Sequence, residues 1–276
     1  MIPAPFDYQR AGSVDEAIEL LAAHGDDAKL LAGGHSLLPL MKLRLAQPTV
    51  LVDIGRIGDL SYVEDSGGTV RIGALTRHHD VASSDLVREQ VPLLAEVAGQ
   101  IGDPQVRHRG TIGGSIAHGD PASDLPAVLL ALRGTLVVRG PGGEREIAAD
   151  DFFTGFLETA LAPDDVMTEI RVPAVPGVGW AFEKFNRRSQ DWAIVGVAAA
   201  LTNGSGGPGV GLINMGSAPL RAAGVEDALR SGSGAADAAA RADEGTEPPG
   251  DLNASSEYRR HLAQVLVRRT LERAGA

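Results

Sequence analysis

Apolar positions along the chain change their spacing from segment to segment, and the spacing predicts the elements. Val14, Ala17, Ile18 and Leu21 recur at helical period behind Ser13, and Glu16 three residues past Ser13 completes a capping box that Gly25 ends. Lys29-Leu30-Leu31-Ala32 reads as a short strand running into Gly33-Gly34, followed by a helix over Leu37–Leu45 and a strand over Thr49–Ile54. A hairpin of Leu60–Glu64 and Thr69–Leu75 turns at Asp65-Ser66-Gly67-Gly68, and helical spacing then runs through Leu86–Ile101.

A second glycine loop, Gly110-Thr111-Ile112-Gly113-Gly114, precedes a helix that Ser123 caps and that carries Leu125 to Leu132. Strands follow at Thr135–Val138, Glu144–Ile147 and Val166–Val172, until Pro173 and Pro176 break the pattern near residue 175. Beyond that boundary, Ala181–Asn186, Ile194–Thr202 and Val210–Met215 read as three strands and Pro219–Arg230 as a helix. Residues 231–255, rich in Ser, Gly, Ala and acids, suit an exposed linker before a final helix over Ser256–Ala274. The expected class is α+β. A domain of residues 1–175 divides into α/β subdomains of about 1–57 and 58–175, and a small domain of 176–276 holds a three-stranded antiparallel sheet and helices.

Composition then removes whole classes of function. The chain has no cysteine, which excludes disulfides, thiolate zinc, cysteinyl flavin and cysteine-held iron–sulfur clusters on this polypeptide. A net charge of -11 disfavours a nucleic-acid surface. No apolar run approaches the roughly 20 residues of a membrane span. The first residues lack the pattern of an export signal, so the expected compartment is the cytoplasm, with any membrane contact peripheral and at the inner face. Without export, the glycosylation-like Asn203-Gly204-Ser205 and Asn253-Ala254-Ser255 carry no meaning.

The two glycine loops carry the chemistry. Consecutive glycines at a strand-to-helix turn let the backbone take positive φ and aim N–H groups at a phosphate. Ala32-Gly33-Gly34-His35-Ser36 and Thr111-Ile112-Gly113-Gly114-Ser115 would cradle a pyrophosphate from two sides, with the hydroxyls of Ser36, Thr111 and Ser115 as further donors. Neither is a Walker loop, since no Gly-Lys-Ser/Thr follows, and neither has Rossmann spacing. The literal G-x-G-x-x-G at Gly204–Gly209 leads into a strand pattern and reads as a hairpin connection. His118, Asp120 and Asp124 lack metal-site spacing, and no metal is expected on this chain.

These loops, with Asp103-Pro104-Gln105-Val106-Arg107, Gly119-Asp120-Pro121-Ala122-Ser123-Asp124, Glu183-Lys184-Phe185, Asp191-Trp192-Ala193 and Ser256–Leu262, form an ordered set along nearly the whole chain. That set resembles the FAD-binding medium subunit of the aerobic carbon monoxide dehydrogenase and xanthine dehydrogenase family of molybdenum hydroxylases. The resemblance implies an FAD-binding domain of the vanillyl-alcohol oxidase (PCMH) type, then a carbon monoxide dehydrogenase flavoprotein C-terminal domain. It implies noncovalent FAD on Ala32, Gly33, Gly34, His35, Ser36 and Leu37 and on Thr111, Ile112, Gly113, Gly114 and Ser115. Asp124 would bond a ribose hydroxyl or an adenine-side atom. Lys184 and the Asp191-Trp192 loop would lie near the isoalloxazine, with Ile101 and Met167 lining the cofactor. It also implies a large molybdenum-cofactor subunit and a small subunit with two [2Fe–2S] clusters, arranged as a dimer of heterotrimers, in which this chain relays electrons and no residue of it is catalytic beyond the flavin.

Two features depart from that pattern: Ser115 stands where such subunits carry Asn, and His118 stands for the Asn before Gly-Asp-Pro. Two other readings compete. A free-standing FAD oxidase of the same fold is disfavoured by a C-terminal domain too small to cap a substrate. A nonenzymatic nucleotide-binding subunit is disfavoured by the intact glycine loops.

Overall fold

A computed structural model describes residues 1–201 and 206–276. The end of the strand expected at 194–202, the Asn203-Gly204-Ser205 match and the first two residues of the Gly204–Gly209 turn lie outside the described residues.

The first unit is a parallel sheet of β1 (Asp7–Arg10), β2 (Ala28–Leu31) and β3 (Val50–Asp53), with β3 central. Helix α1 (Val14–His24) buries Ala17, Ile18 and Leu21 into the core of this unit, and α2 (Leu37–Lys42) connects β2 to β3. The Ser13 hydroxyl accepts from Glu16 N at 3.1 Å, while the Glu16 carboxylate returns to Gly12 N at 2.7 Å, one residue before the usual box partner. Strand β1 was not legible because three of its four residues are exposed, so no apolar alternation marks it.

The second unit is a five-stranded antiparallel sheet in the order β4 (Val63–Asp65), β5 (Thr69–Gly73), β10 (Val166–Pro173), β6 (Thr135–Gly140), β7 (Gly143–Ala148). Between β5 and β6 lie α3 (His78–Ser83), α4 (Asp85–Gln90), α5 (Pro92–Gln100), α6 (Pro104–Arg107), α7 (Ile112–His118) and α8 (Asp124–Leu132). Between β7 and β10 lie α9 (Ala149–Phe152) and the pair β8 (Phe153–Gly155) and β9 (Glu158–Thr159). The helical spacing of residues 86–101 is broken in two because Pro92, which has no N–H to donate, opens a new helix. The second glycine loop is not a loop ahead of a helix. Gly113 and Gly114 form the first turn of α7, capped by Thr111, whose hydroxyl accepts from Gly114 N at 3.1 Å. Ser123 holds the capping position of α8 without a side-chain bond.

The third unit is an antiparallel sheet of β11 (Trp180–Phe185), β12 (Val195–Ala200), β13 (Gly209–Ile213) and β14 (Leu220–Arg221), followed by α10 (Ala223–Arg230), α11 (Ala235–Ala239) and α12 (Ser256–Ala274). The sheet therefore has a fourth strand beyond the three expected, because Leu220 pairs opposite Leu212 before the helix begins. The supposed linker also packs. Ala235, Ala238, Ala239 and Ala242 are buried at helical spacing against α12, an apolar stripe of small residues hidden by acidic neighbours.

Helix α8 joins the second and third units. All nine of its residues are buried, as expected for a helix apolar on every side. Strand β13 lies directly on its backbone: a Cβ at Gly209 or Gly211 would stand 1.9 and 2.0 Å from the carbonyl oxygens of Ala131 and Ala127. Glu226, fully buried, fastens the same seam. It accepts from Val210 N at 2.9 Å and pairs with Arg221 at 2.5 Å, Arg230 at 3.2 Å and Arg133, which follows α8, at 3.5 Å. This docking carries the N-terminal end of α8 to β11, where the candidate site is completed.

Candidate FAD site

The two glycine loops meet. Gly33 follows β2, and a Cβ on it would stand 2.3 Å from Arg109 O and 2.8 Å from the Cα of Gly110, the residue that opens the second segment. Gly114 faces Ala32 across the same gap, where a Cβ would lie 3.9 Å from that of Ala32. Gly113 instead packs against Ala74, with its absent Cβ 2.6 Å from Ala74 O, so its role is close packing of α7 on the sheet.

The donors are divided unevenly between the loops. Gly34 takes φ +77 and turns the chain into α2, and the amides of Gly33, Gly34, His35, Ser36 and Leu37 have no acceptor among the described residues. Leu38 N is the first amide spent, on Gly34 O at 3.1 Å. Ser36 occupies the capping position of α2 yet makes no capping bond, which leaves its hydroxyl available. The second segment differs from expectation. Ile112 N bonds Thr76 O, Gly113 N bonds Ala74 O, Gly114 N bonds the Thr111 hydroxyl and Ser115 N bonds Thr111 O. Residues 111–115 therefore offer close approach and the hydroxyls of Thr111 and Ser115, while the backbone donors come from residues 33–37.

Lys184 and Asp124 also come together. Lys184 Nζ lies 2.9 Å from Asp124 Oδ2, and both side chains are almost completely buried. Asp124 is the first residue of α8, and Lys184 is on β11, so the docking of the third unit on α8 makes the pair. Burial pushes the Asp124 carboxyl above its ordinary range, and Lys184 partly offsets this. Asp124 Oδ1 is buried with no hydrogen-bond partner among the described residues. Asp124, expected at a ribose hydroxyl or adenine-side atom, and Lys184, expected near the isoalloxazine, are thus in contact with each other in the structure.

The remaining expected residues lie around these two centres. Met167, on β10 beneath α7, belongs to the main core at 5% exposure, and Ile101 packs at that core's margin. Asp191 and Trp192 line a different cleft of about 470 Å³ with Asp120, Phe156, Arg187 and Asp251. Trp192 is 59% exposed there. His35 is exposed, and His118 ends α7 half-buried, its imidazole held below its ordinary pKa by burial.

Three neighbours of the loops were not among the expected cofactor residues, although Gly110 was read as the start of the second glycine loop. Arg77 donates to Arg109 O and so braces the backbone on which Gly33 rests. Gly110 has no room for a side chain because the His78 imidazole would lie 2.7 Å from its Cβ. His78 is 4% exposed, and its pKa falls to about 4, first through burial and then through repulsion from His35, Arg77 and Arg107. Only Gly110 carried a sequence signal, as a third glycine beside Gly113-Gly114.

Free amides on one loop, a gap bordered by glycine backbone, and a buried carboxylate oxygen without a partner fit the diphosphate and polar groups of a dinucleotide. The sequence comparisons agree. Residues 4–175 match the family described as the FAD binding domain in molybdopterin dehydrogenase. Residues 180–274 match the CO dehydrogenase flavoprotein C-terminal domain. The chain belongs to the FAD-binding medium subunits of the molybdenum hydroxylases. Within that family it is 45% identical to the carbon monoxide dehydrogenase medium chain of Hydrogenophaga pseudoflava, over 100% of this chain and 99% of that one. It is 39% identical to the 6-hydroxypseudooxynicotine dehydrogenase complex subunit alpha of Paenarthrobacter nicotinovorans, over 99% and 96%. A solved carbon monoxide dehydrogenase from Hydrogenophaga pseudoflava, lacking the Mo-pyranopterin moiety, superimposes with a TM-score of 0.95 at 46% identity, covering 99% of this chain and 98% of that one. The chain is thus an FAD-binding oxidoreductase subunit of a multi-subunit enzyme type, with the mixed α and β architecture that the family carries. No helix among the described residues is long and apolar enough to cross a membrane.

Proposed function

We propose that this medium subunit is the electron relay of its complex, set between [2Fe–2S] clusters on a small partner and an external acceptor, with a large molybdenum-cofactor subunit oxidising the substrate. The assembly is a dimer of such heterotrimers in the cytoplasm. FAD, when bound, supplies a carrier able to exchange electrons with one-electron centres and to act as a two-electron donor. The observation that carries the reading is the junction of Gly33 with Arg109-Gly110 beside five unpaired amides. No residue within it is arranged as a nucleophile and base, so the chain's part is to bind and orient.

On this reading the amides of Gly33 to Leu37 hold the diphosphate, helped by the positive end of α2 and by the hydroxyls of Ser36, Thr111 and Ser115. Ala32 and Gly114 shape the gap between the loops, and Ile112 and Gly113 seat that wall on the sheet through Thr76 and Ala74. Asp124 Oδ1 accepts from a hydroxyl or N–H of the dinucleotide, and Lys184 favours the ionised form of that carboxyl against the burial that raises its pKa. Trp192 and Asp191 border the face from which the acceptor approaches, and Ile101 and Met167 close the apolar side. Relatives named for carbon monoxide and for a nicotine derivative resemble this chain over nearly their whole length, as expected if the substrate pocket belongs to another subunit.

The test is native isolation of the complex with metal analysis and a visible spectrum. Flavin absorbance with stoichiometric iron and molybdenum is the expected result. Flavin without either metal would overturn the relay in favour of a free-standing flavoprotein.

A further inference from the structure

One cation at the junction of the loops has no opposite charge beside it. Thr76 to His78, just past β5, run antiparallel to Gly110–Ile112. His78 N donates to Gly110 O at 3.1 Å and Ile112 N to Thr76 O at 3.0 Å, with Arg77 opposite Thr111. These two bonds flank the Arg77–Thr111 pair instead of joining it, the arrangement in which opposite side chains lie closest and share one face of the ladder. The Arg77 side chain therefore leaves on the Thr111 side, and its Nη1 donates to Arg109 O. That oxygen is the one a Cβ on Gly33 would meet at 2.3 Å, so the guanidinium stands where the two loops touch.

Its surroundings set it apart from other arginines of the chain. Arg71, Arg145, Arg171, Arg221 and Arg230 each meet a carboxylate. Arg77, though half-buried, meets none among the described residues, and its donors other than Nη1 have no partner there. The two acids that act on it are placed otherwise. Asp53 accepts from Gly55 N at 2.8 Å and from the Tyr8 hydroxyl, and Asp80 is exposed on α3. Burial, and then the charge of Arg109, hold the Arg77 guanidinium below its ordinary pKa, with Asp80 and Asp53 offsetting part of this. His78, the next residue, is held neutral at physiological pH, so the charge at this point is that of Arg77. An arginine stays protonated, and a partly desolvated charge without a counter-ion is a costly arrangement that an anion in the gap would relieve.

We propose that Arg77 is a cofactor-binding residue, the cation that meets the diphosphate of the dinucleotide at the junction of the two glycine loops. The proposal rests on the reading that the amides of residues 33–37 hold that diphosphate. With Nη1 on Arg109 O, the Nε–Nη2 edge is the planar fork that fits two phosphate oxygens. The amides supply direction and partial charge, and Arg77 supplies a full charge, so its contribution is the one that salt screens. A residue that only braced Arg109 O would need neither the charge nor the free edge.

The experiment titrates the deflavinated full chain with FAD at low and high salt and follows thermal melting with and without FAD. Arg77→Gln keeps a donor for Arg109 O but loses the charge. It should weaken FAD binding about 10- to 100-fold at low salt, and less at high salt, where screening shrinks the wild-type advantage. Arg77→Lys should recover part of the loss at low salt. Arg269→Gln, the same loss of charge at an exposed position of α12, should stay within twofold. Without FAD, Arg77→Gln should melt no lower than wild type, because the repulsion from Arg109 goes with the charge, while FAD should raise its melting temperature by less. FAD affinity within twofold of wild type for Arg77→Gln would overturn the proposal. So would a loss equal at both salts, with a lower melting temperature of the deflavinated chain and no recovery in Arg77→Lys, the behaviour of a brace. Wild-type FAD affinity in Gly33→Ala as well would instead defeat the underlying reading that the diphosphate lies at this junction.

Discussion

Gly33→Ala isolates the junction of the two loops better than any other single change. The added Cβ would lie 2.3 Å from Arg109 O, where contacts under 3.0 Å essentially do not occur, so the loops must part by at least about 0.7 Å. Both obstructing groups, Arg109 O and Gly110 Cα, are backbone, and no rotamer change can relieve them. Overpacking of this kind costs about 1–3 kcal/mol. If the apo loops separate to avoid it and FAD must draw them back together, that energy comes out of binding, about 5- to 150-fold in Kd. The assay is titration of the deflavinated chain with FAD, followed by flavin fluorescence, with thermal melting in parallel. Gly142→Ala is the matched control, since no atom lies within 4 Å of its Cβ and its φ is ordinary. FAD affinity within twofold of wild type for Gly33→Ala would show that the junction is not part of the FAD cradle.

Other consequences can be checked alongside. Lys184→Met leaves the buried Asp124 carboxylate unpaired and should destabilise the chain by about 3–5 kcal/mol at neutral pH. Its carboxyl, already raised, rises further, so the deficit should shrink as pH falls through that raised pKa, and Asp124→Asn in the same chain should restore most of the loss; denaturant midpoints against pH read both. His78 has a folded pKa depressed to about 4 from 6.5, so its contribution is complete above 6.5 and lost as pH falls towards 4. The window corresponds to about 3 kcal/mol, and His78→Gln should flatten a urea-melt series across it; an unchanged slope would mean that His78 is not buried as neutral imidazole. Glu226→Ala removes the buried carboxylate shared by Arg133, Arg221, Arg230 and Val210 N at the seam with α8, leaving the arginines only Pro208 O, Asp150 and Asp227, and should cost about 3–5 kcal/mol by chemical denaturation. A loss under 1 kcal/mol would refute that account.

What could be read from the sequence depended on whether a residue's role is local. Ser13 declares a helix start by its own hydroxyl and a neighbouring glutamate, and Gly33-Gly34 declares a turn by what glycine alone can do. Alternation failed where packing reversed it: β1 is exposed and the alanines of α11 are buried, so the polar composition around those alanines pointed the wrong way. The donor pattern of Thr111–Ser115 was only partly within reach: the amides of Gly114 and Ser115 are spent on Thr111 itself, but those of Ile112 and Gly113 meet Thr76 and Ala74, which follow the distant strand β5.

The same distinction separates the site into two kinds of residue. The first loop is built by residues 32–37 themselves and can be argued from their chemistry. The Asp124–Lys184 pair spans 60 positions and exists only because Gly209 and Gly211 let β13 lie on the backbone of α8. A Cβ at either glycine would lift the third unit off that helix and withdraw Lys184 from Asp124. FAD affinity should therefore respond to Gly211→Ala, a substitution remote from both loops, through the loss of this buried pair. A Gly211→Ala chain that melts lower yet binds FAD with wild-type affinity would separate the pair from the cofactor and leave the glycine loops as the whole of the binding site.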